Sequence, residues 1–195
     1  MNDTLLWQDR MAKMISHLLS PIGIAAGLFG GQAIFHREDD VWGPITIALI
    51  LFVVIPIIVI LWIRRHGIKE VYNPEPLRRQ RFLFMGTICY LTGYIIFIKI
   101  GAEPYLVWSA CTFAVAAGLV CGINLFWKIS IHSVAVSGGV FIAMVMTDSE
   151  VWPLLLAPGL VGWARFWLGA HTTFQILAGS LLGAIVPAIL LPHFI

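Results

Sequence analysis

The chain has 195 residues, of which 59% are hydrophobic and 11% charged, with a mean hydropathy of +0.91 and a formal net charge of +2. Soluble domains carry about 25% charged residues, so this composition excludes an ordinary soluble domain. Several apolar runs approach the ~20 residues needed to cross a hydrocarbon core of roughly 30 Å, which makes the chain an integral membrane protein.

The opening MNDTLLWQDRMAKM is mixed in charge and lacks a basic start and a small-residue cleavage site, so no removable signal peptide is expected. Residues 14–35 form a first predicted span, weakened by Pro21 and several glycines. The polar HREDD follows, and residues 41–63, charge-free and rich in Ile and Val, make the strongest span. Residues 64–81, RRHGIKEVYNPEPLRRQR, are too charged and proline-rich to lie in lipid. The third to fifth spans are 82–98, 104–127 and 129–147, with a tight turn around Gly101 and an interruption at Lys128. A short sixth span, 151–164, and a seventh, 172–191, follow. With the first partly interfacial, the expected architecture is an all-α, polytopic transmembrane helix bundle of six to seven spans. It forms one domain over residues 1–195, since no soluble domain or clear repeat interrupts it. Unbroken apolar runs exclude the alternating pattern of a membrane β-barrel.

Alternating these spans sorts the charges. One face collects Arg10, Lys13, Arg64, Arg65, Lys69, Arg78, Arg79, Arg81, Lys128 and Arg165, ten of the twelve basic residues. The other keeps Arg37 and Lys99 with Glu38, Asp39, Asp40, Glu103, Asp148 and Glu150. The positive-inside rule makes the basic face cytoplasmic. Cys89, Cys111 and Cys121 lie in apolar runs without metal-ligand or paired spacing and read as small buried hydrophobes.

Three polar clusters fall on the basic face. Arg78 and Arg81 in PLRRQRF are spaced i, i+3 and share one side of a helix start. Lys128, Ser130 and His132 mark the mouth of the fifth span, and Arg165 and His171 flank the short turn before the last. Cations and histidines at helix N-termini suit an anion: orphan N–H groups and the helix dipole attract it, and an arginine fork matches phosphate oxygens. A histidine can act as nucleophile and a second as general acid or base. Thr172 and Thr173 are placed to cap the last helix. Gln175, one turn beyond His171, is placed to accept the imidazole N–H and fix its tautomer.

Plainer roles account for much of the rest. Arg64, Arg65 and Arg79 read as anchors at span ends, and Lys128 suits either an anchor or a phosphate ligand. His132 taken alone suits helix packing. His17, His36, His66 and His193 carry no functional signal. Gly179 and Gly183, spaced GxxxG, read as a close helix contact.

Together these residues resemble the type 2 phosphatidic acid phosphatase and vanadium haloperoxidase superfamily, over residues 78–195. Its third motif runs Ser-Arg, five residues, His, three residues, Asp; RFWLGAHTTFQ supplies Arg165 and His171 at that spacing. Its second, Pro-Ser-Gly-His, is matched by Ser130 and His132 in ISIH. Its first, a lysine and then Arg-Pro, has no literal match, and PLRRQR stands in its place. Ala164 replaces the motif serine and Gln175 the motif aspartate.

The resemblance implies a membrane-bound lipid phosphatase that needs no metal or other cofactor. His171 would be its nucleophile and His132 its acid and base, while Arg78, Arg81, Lys128, Ser130 and Arg165 hold the phosphate. The expected partners are a lipid phosphate, isoprenoid diphosphate or phosphatidate-like, and the bilayer, with no nucleic acid. A neutral Gln175 holds a tautomer but stabilises an imidazolium less than a carboxylate does. The alternative is therefore a catalytically silent lipid-phosphate binder or assembly subunit. A transporter fits less well, because the polar residues gather at one membrane face and not near the midplane.

Overall fold

The computed structural model describes residues 3–35, 42–65, 76–147 and 151–194. Among these the chain is all-helical, with no strand. In order, the helices are α1 (Asp3–Leu18), α2 (Pro21–Phe35), α3 (Trp42–Leu49), α4 (Ile55–Arg65), α5 (Pro76–Ile100), α6 (Pro104–Ile123), α7 (Ile131–Met146), α8 (Ala157–Trp167) and α9 (Thr173–Leu190).

Local chemistry explains most of the boundaries. Pro21, Pro76 and Pro104 each occupy a first helical position, where the missing N–H costs nothing. Gly101, with φ of 63°, turns the chain from α5 into α6. Between α3 and α4 the backbone widens into a π-helical turn, Ile50–Val54, in which Ile55 N–H reaches the Ile50 carbonyl. Pro56 explains it: the ring lacks an N–H and crowds the carbonyl four residues back, so the turn opens.

Among the described residues, four helical stretches are long and apolar enough to cross a membrane: Trp42–Trp62, Arg79–Ile100, Pro104–Ile123 and Thr173–His193. A fifth candidate is the pair Leu6–Leu18 and Pro21–Gln32, bent by 50°. This differs from the six to seven spans expected. The run 14–35 is not one straight rod but breaks at Pro21, and α7 and α8, with 16 and 11 residues, are shorter than a full crossing. The set fits a multi-pass membrane protein.

The bundle is held at two places. Away from the basic end, Phe52 is the hub of an aromatic cluster, stacked on Tyr90 at 5.0 Å and edge-on to Phe113 at 5.7 Å, with Phe29 at 4.8 Å. Gly93 on α5 makes room for it, since a Cβ there would run into the Phe52 ring. The second place is the crossing of α7 and α9. A Cβ at Gly183 would collide with the Val134 carbonyl, and one at Gly179 would lie 2.7 Å from the Ser130 carbonyl oxygen. Close backbone approach through small residues is how helices associate where no hydrophobic force separates protein from lipid. It brings the N-terminal ends of α7 and α9 side by side, where Ser130 N–H donates to the Gln175 carbonyl at 3.2 Å.

Candidate functional site

The antiparallel order of α5 to α9 places the start of α5, the start of α7, the end of α8 and the start of α9 at one end of the bundle. Each supplies a polar side chain. Ser130, fully buried, is the N-cap of α7, its hydroxyl accepting from Ser133 N–H at 3.4 Å and from Ser133 Oγ at 2.8 Å. His132 follows in the first turn, with its ring against the backbone of Ser16.

α8 ends in a Schellman turn. Gly169, with φ of 61°, donates to the Phe166 carbonyl, and Ala170 N–H reaches back to the Arg165 carbonyl at 3.0 Å. That reversal returns the chain beside Arg165 within six residues, so His171 lies in the field of the Arg165 guanidinium. Arg165 is itself buried, 5% exposed, and its Nη1 donates to Ser16 Oγ at 2.8 Å.

α9 opens with a capping box. Gln175 N–H donates to Thr172 Oγ1 at 3.4 Å, and Thr172 N–H donates to Gln175 Oε1 at 3.1 Å. Thr172 is therefore the cap and Thr173 the first helical residue. The same Oε1 lies 3.2 Å from His171 Nδ1. Because Thr172 N–H can only donate, the atom facing both groups is the amide oxygen, and His171 Nδ1 must carry the proton. Nε2 is left with its lone pair.

Arg79, Lys128, His132, Arg165 and His171 line one end of a cavity of about 320 Å³. The remaining walls are mostly apolar, with Ile55 and Val59 of α4, Phe82 and Met85 of α5, Ala116 of α6 and Ile142 of α7, and with Cys89, Tyr90 and Thr112 set among them. From His132 to Ile142 is ten residues of helix, ~15 Å at 1.5 Å per residue, so the cavity runs from a cationic mouth far into the apolar interior. Burial, then Arg165, Arg79 and Lys128, push His171 down to about 4, against the smaller upward pull of its Gln175 bond. Its imidazole is neutral at pH 7. Lys128 is also pushed down, first by burial and then by Arg79 and Arg165, as expected of cations crowded together.

The structure thus brings together His132, Lys128, Arg165, His171 and Gln175, with Ser130 capping the helix that carries His132. It does not bring Arg81, which is exposed and does not line the cavity. Arg78 lies in the first turn of α5, and its side chain falls outside the described residues. Arg79, read from the sequence as an anchor, is instead buried at 8% exposure and lines the mouth, donating to the Ile129 carbonyl at 2.7 Å. The reason is helical phase. The inward face of α5 runs through Leu83, Gly86 and Tyr90, which puts Arg79 in line and Arg81 about 200° round. That periodicity was available in the sequence. Ser16 had no such signal, since its partner Arg165 is 149 residues away.

Gln175 and His171, one turn apart, thus form a hydrogen-bonded pair beside an arginine, at the mouth of a mostly apolar cavity. Comparison with protein-family models, curated proteins and solved structures returns no match.

Proposed function

We propose that the chain is a multi-pass membrane lipid phosphatase, resembling the type 2 phosphatidic acid phosphatases, with its basic end cytoplasmic. One observation carries the reading: two histidines and three cations meet at the mouth of a cavity whose other walls are mostly apolar. A phosphate fits the mouth, and a hydrocarbon chain fits the walls.

In this reading His171 Nε2 attacks phosphorus, a P–N bond forms and the ester P–O bond breaks. His132 gives a proton to the departing oxygen; the bound phosphate anion favours its protonated form. A water then attacks the phosphohistidine, His132 takes its proton, and the P–N bond breaks to release inorganic phosphate. Arg165, Arg79 and Lys128 hold the non-bridging oxygens and stabilise the charge that develops on them. Arg81 has no part in this version of the site, because its side chain faces outward. Gln175 holds the His171 tautomer.

The test is phosphate release by the purified protein in detergent with EDTA, from isoprenyl, glycerol and sphingoid phosphates. Release that vanishes in His171→Ala supports the reading. Full activity in that variant removes the nucleophile. A second reading, a lipid-phosphate binder without turnover, is favoured by the neutral amide at Gln175. It requires orthovanadate or lipid-phosphate binding with no release from any of these substrates.

A further inference from the structure

We propose that Ser16 of α1 is a positioning residue of the phosphate site, holding the Arg165 guanidinium in the orientation that receives phosphate. The inference rests on the phosphatase reading and adds a residue that lies outside its motifs.

The helix α1 docks along α8 through one face. Asp9, Ala12 and Ser16, spaced three and four residues apart, share that face. Ala12 and Ser16 are buried at 0% and 3% exposure, and Asp9 Oδ1 accepts from Trp167 Nε1 at 2.9 Å. Two turns along, Ser16 Oγ accepts from Arg165 Nη1 at 2.8 Å. The backbone of the same residue lies against the ring of His132. One residue of α1 therefore joins the arginine at the end of α8 to the histidine at the start of α7.

That joint has a chemical consequence. A guanidinium is planar, so tying one Nη sets the plane and the directions of its other N–H groups. The backbone packed against the His132 ring likewise limits how far the imidazole can turn. Both groups then meet an anion with little rearrangement, the condition for strong stabilisation of developing charge. Position 164, next to Arg165, holds a fully buried alanine where the resembled motif has serine.

The test uses the full chain in detergent, with orthovanadate as the anion probe, together with KM and kcat for phosphate release. Ser16→Ala should weaken vanadate about tenfold or more and raise KM by more than it lowers kcat, the scale of a lost hydrogen bond to a charged group. Ser16→Thr, which keeps the hydroxyl, should recover most of both. In an Arg165→Ala background, Ser16→Ala should cost little further. Wild-type vanadate affinity in Ser16→Ala overturns the proposal, as does an equal loss with and without Arg165. No vanadate binding and no release by the wild type sinks the phosphatase reading itself, a distinct result.

Discussion

His171 Nδ1 and Gln175 Oε1 lie 3.2 Å apart, and the same oxygen caps the helix that follows by accepting from Thr172 N–H at 3.1 Å. One amide therefore does two jobs, terminating α9 and orienting the histidine beside it. Gln175→Ala should cost ~1 kcal/mol of stability through the lost cap. It should cost on the order of 10²–10⁴-fold in phosphate release through the lost tautomer. Gln175→Glu keeps an acceptor oxygen for both bonds and adds a charge, so release should equal or exceed that of the wild type. Gln175→Asp, one methylene shorter, should do worse than Gln175→Glu. Equal stability and activity in all four proteins would detach this residue from the site.

The low value at His171 has a sign that stability measurements can read. In the unfolded chain the imidazole takes up a proton near its ordinary value of about 6.5, whereas in the folded chain it does so only near about 4. The unfolded state thus binds protons first, and the stability conferred by a neutral His171 is complete above about 6.5. It is lost as the pH falls from there toward about 4. Thermal unfolding of wild type and His171→Gln from pH 8 to 4 should show the wild type falling more steeply below about 6.5. Parallel curves would mean that the ring is not desolvated.

Phosphate binding should separate two arginines that differ by two positions on α5. Arg79→Ala removes a buried cation at the cavity mouth and should weaken orthovanadate by about 10–100-fold. Arg81→Ala alters an exposed side chain and should change it several-fold at most. The reverse ranking, read by calorimetry, would show that the face of α5 has been assigned wrongly.

The crossing of α7 and α9 should resist even one methyl group. Gly183→Ala places a Cβ against the Val134 carbonyl, a backbone atom that cannot swing aside. It should destabilise by about 1–3 kcal/mol. Because that crossing aligns the helix starts bearing His132 and His171, phosphate release should fall even where the protein remains folded. Gly159→Ala, with open space around its Cβ, serves as the control and should change neither. Release unaffected by Gly183→Ala would show that the crossing does not set the geometry of the histidines.

The residues differ in how far the sequence alone could place them. Hydropathy states the class, because no soluble core could absorb so much apolar surface. Pro76, Pro104, Gly101 and Gly169 mark helix ends through their own backbone chemistry. The pairing of His171 with Gln175 is equally local, being one turn of one helix. All of these follow from forces acting within a few residues.

Contacts between helices obey a different rule. Arg79 meets the Ile129 carbonyl across 50 residues, and Arg165 meets Ser16 across 149. Such contacts depend on how each helix is rotated and how closely it docks, and that is set by the glycine-lined crossing, the Phe52 cluster and the break at Pro21. Spacing could nominate Arg165 and His171 and name the chemistry they suit. Only the docking of α1 and the phase of α5 decided that Ser16 and Arg79 stand beside them while Arg81 faces away.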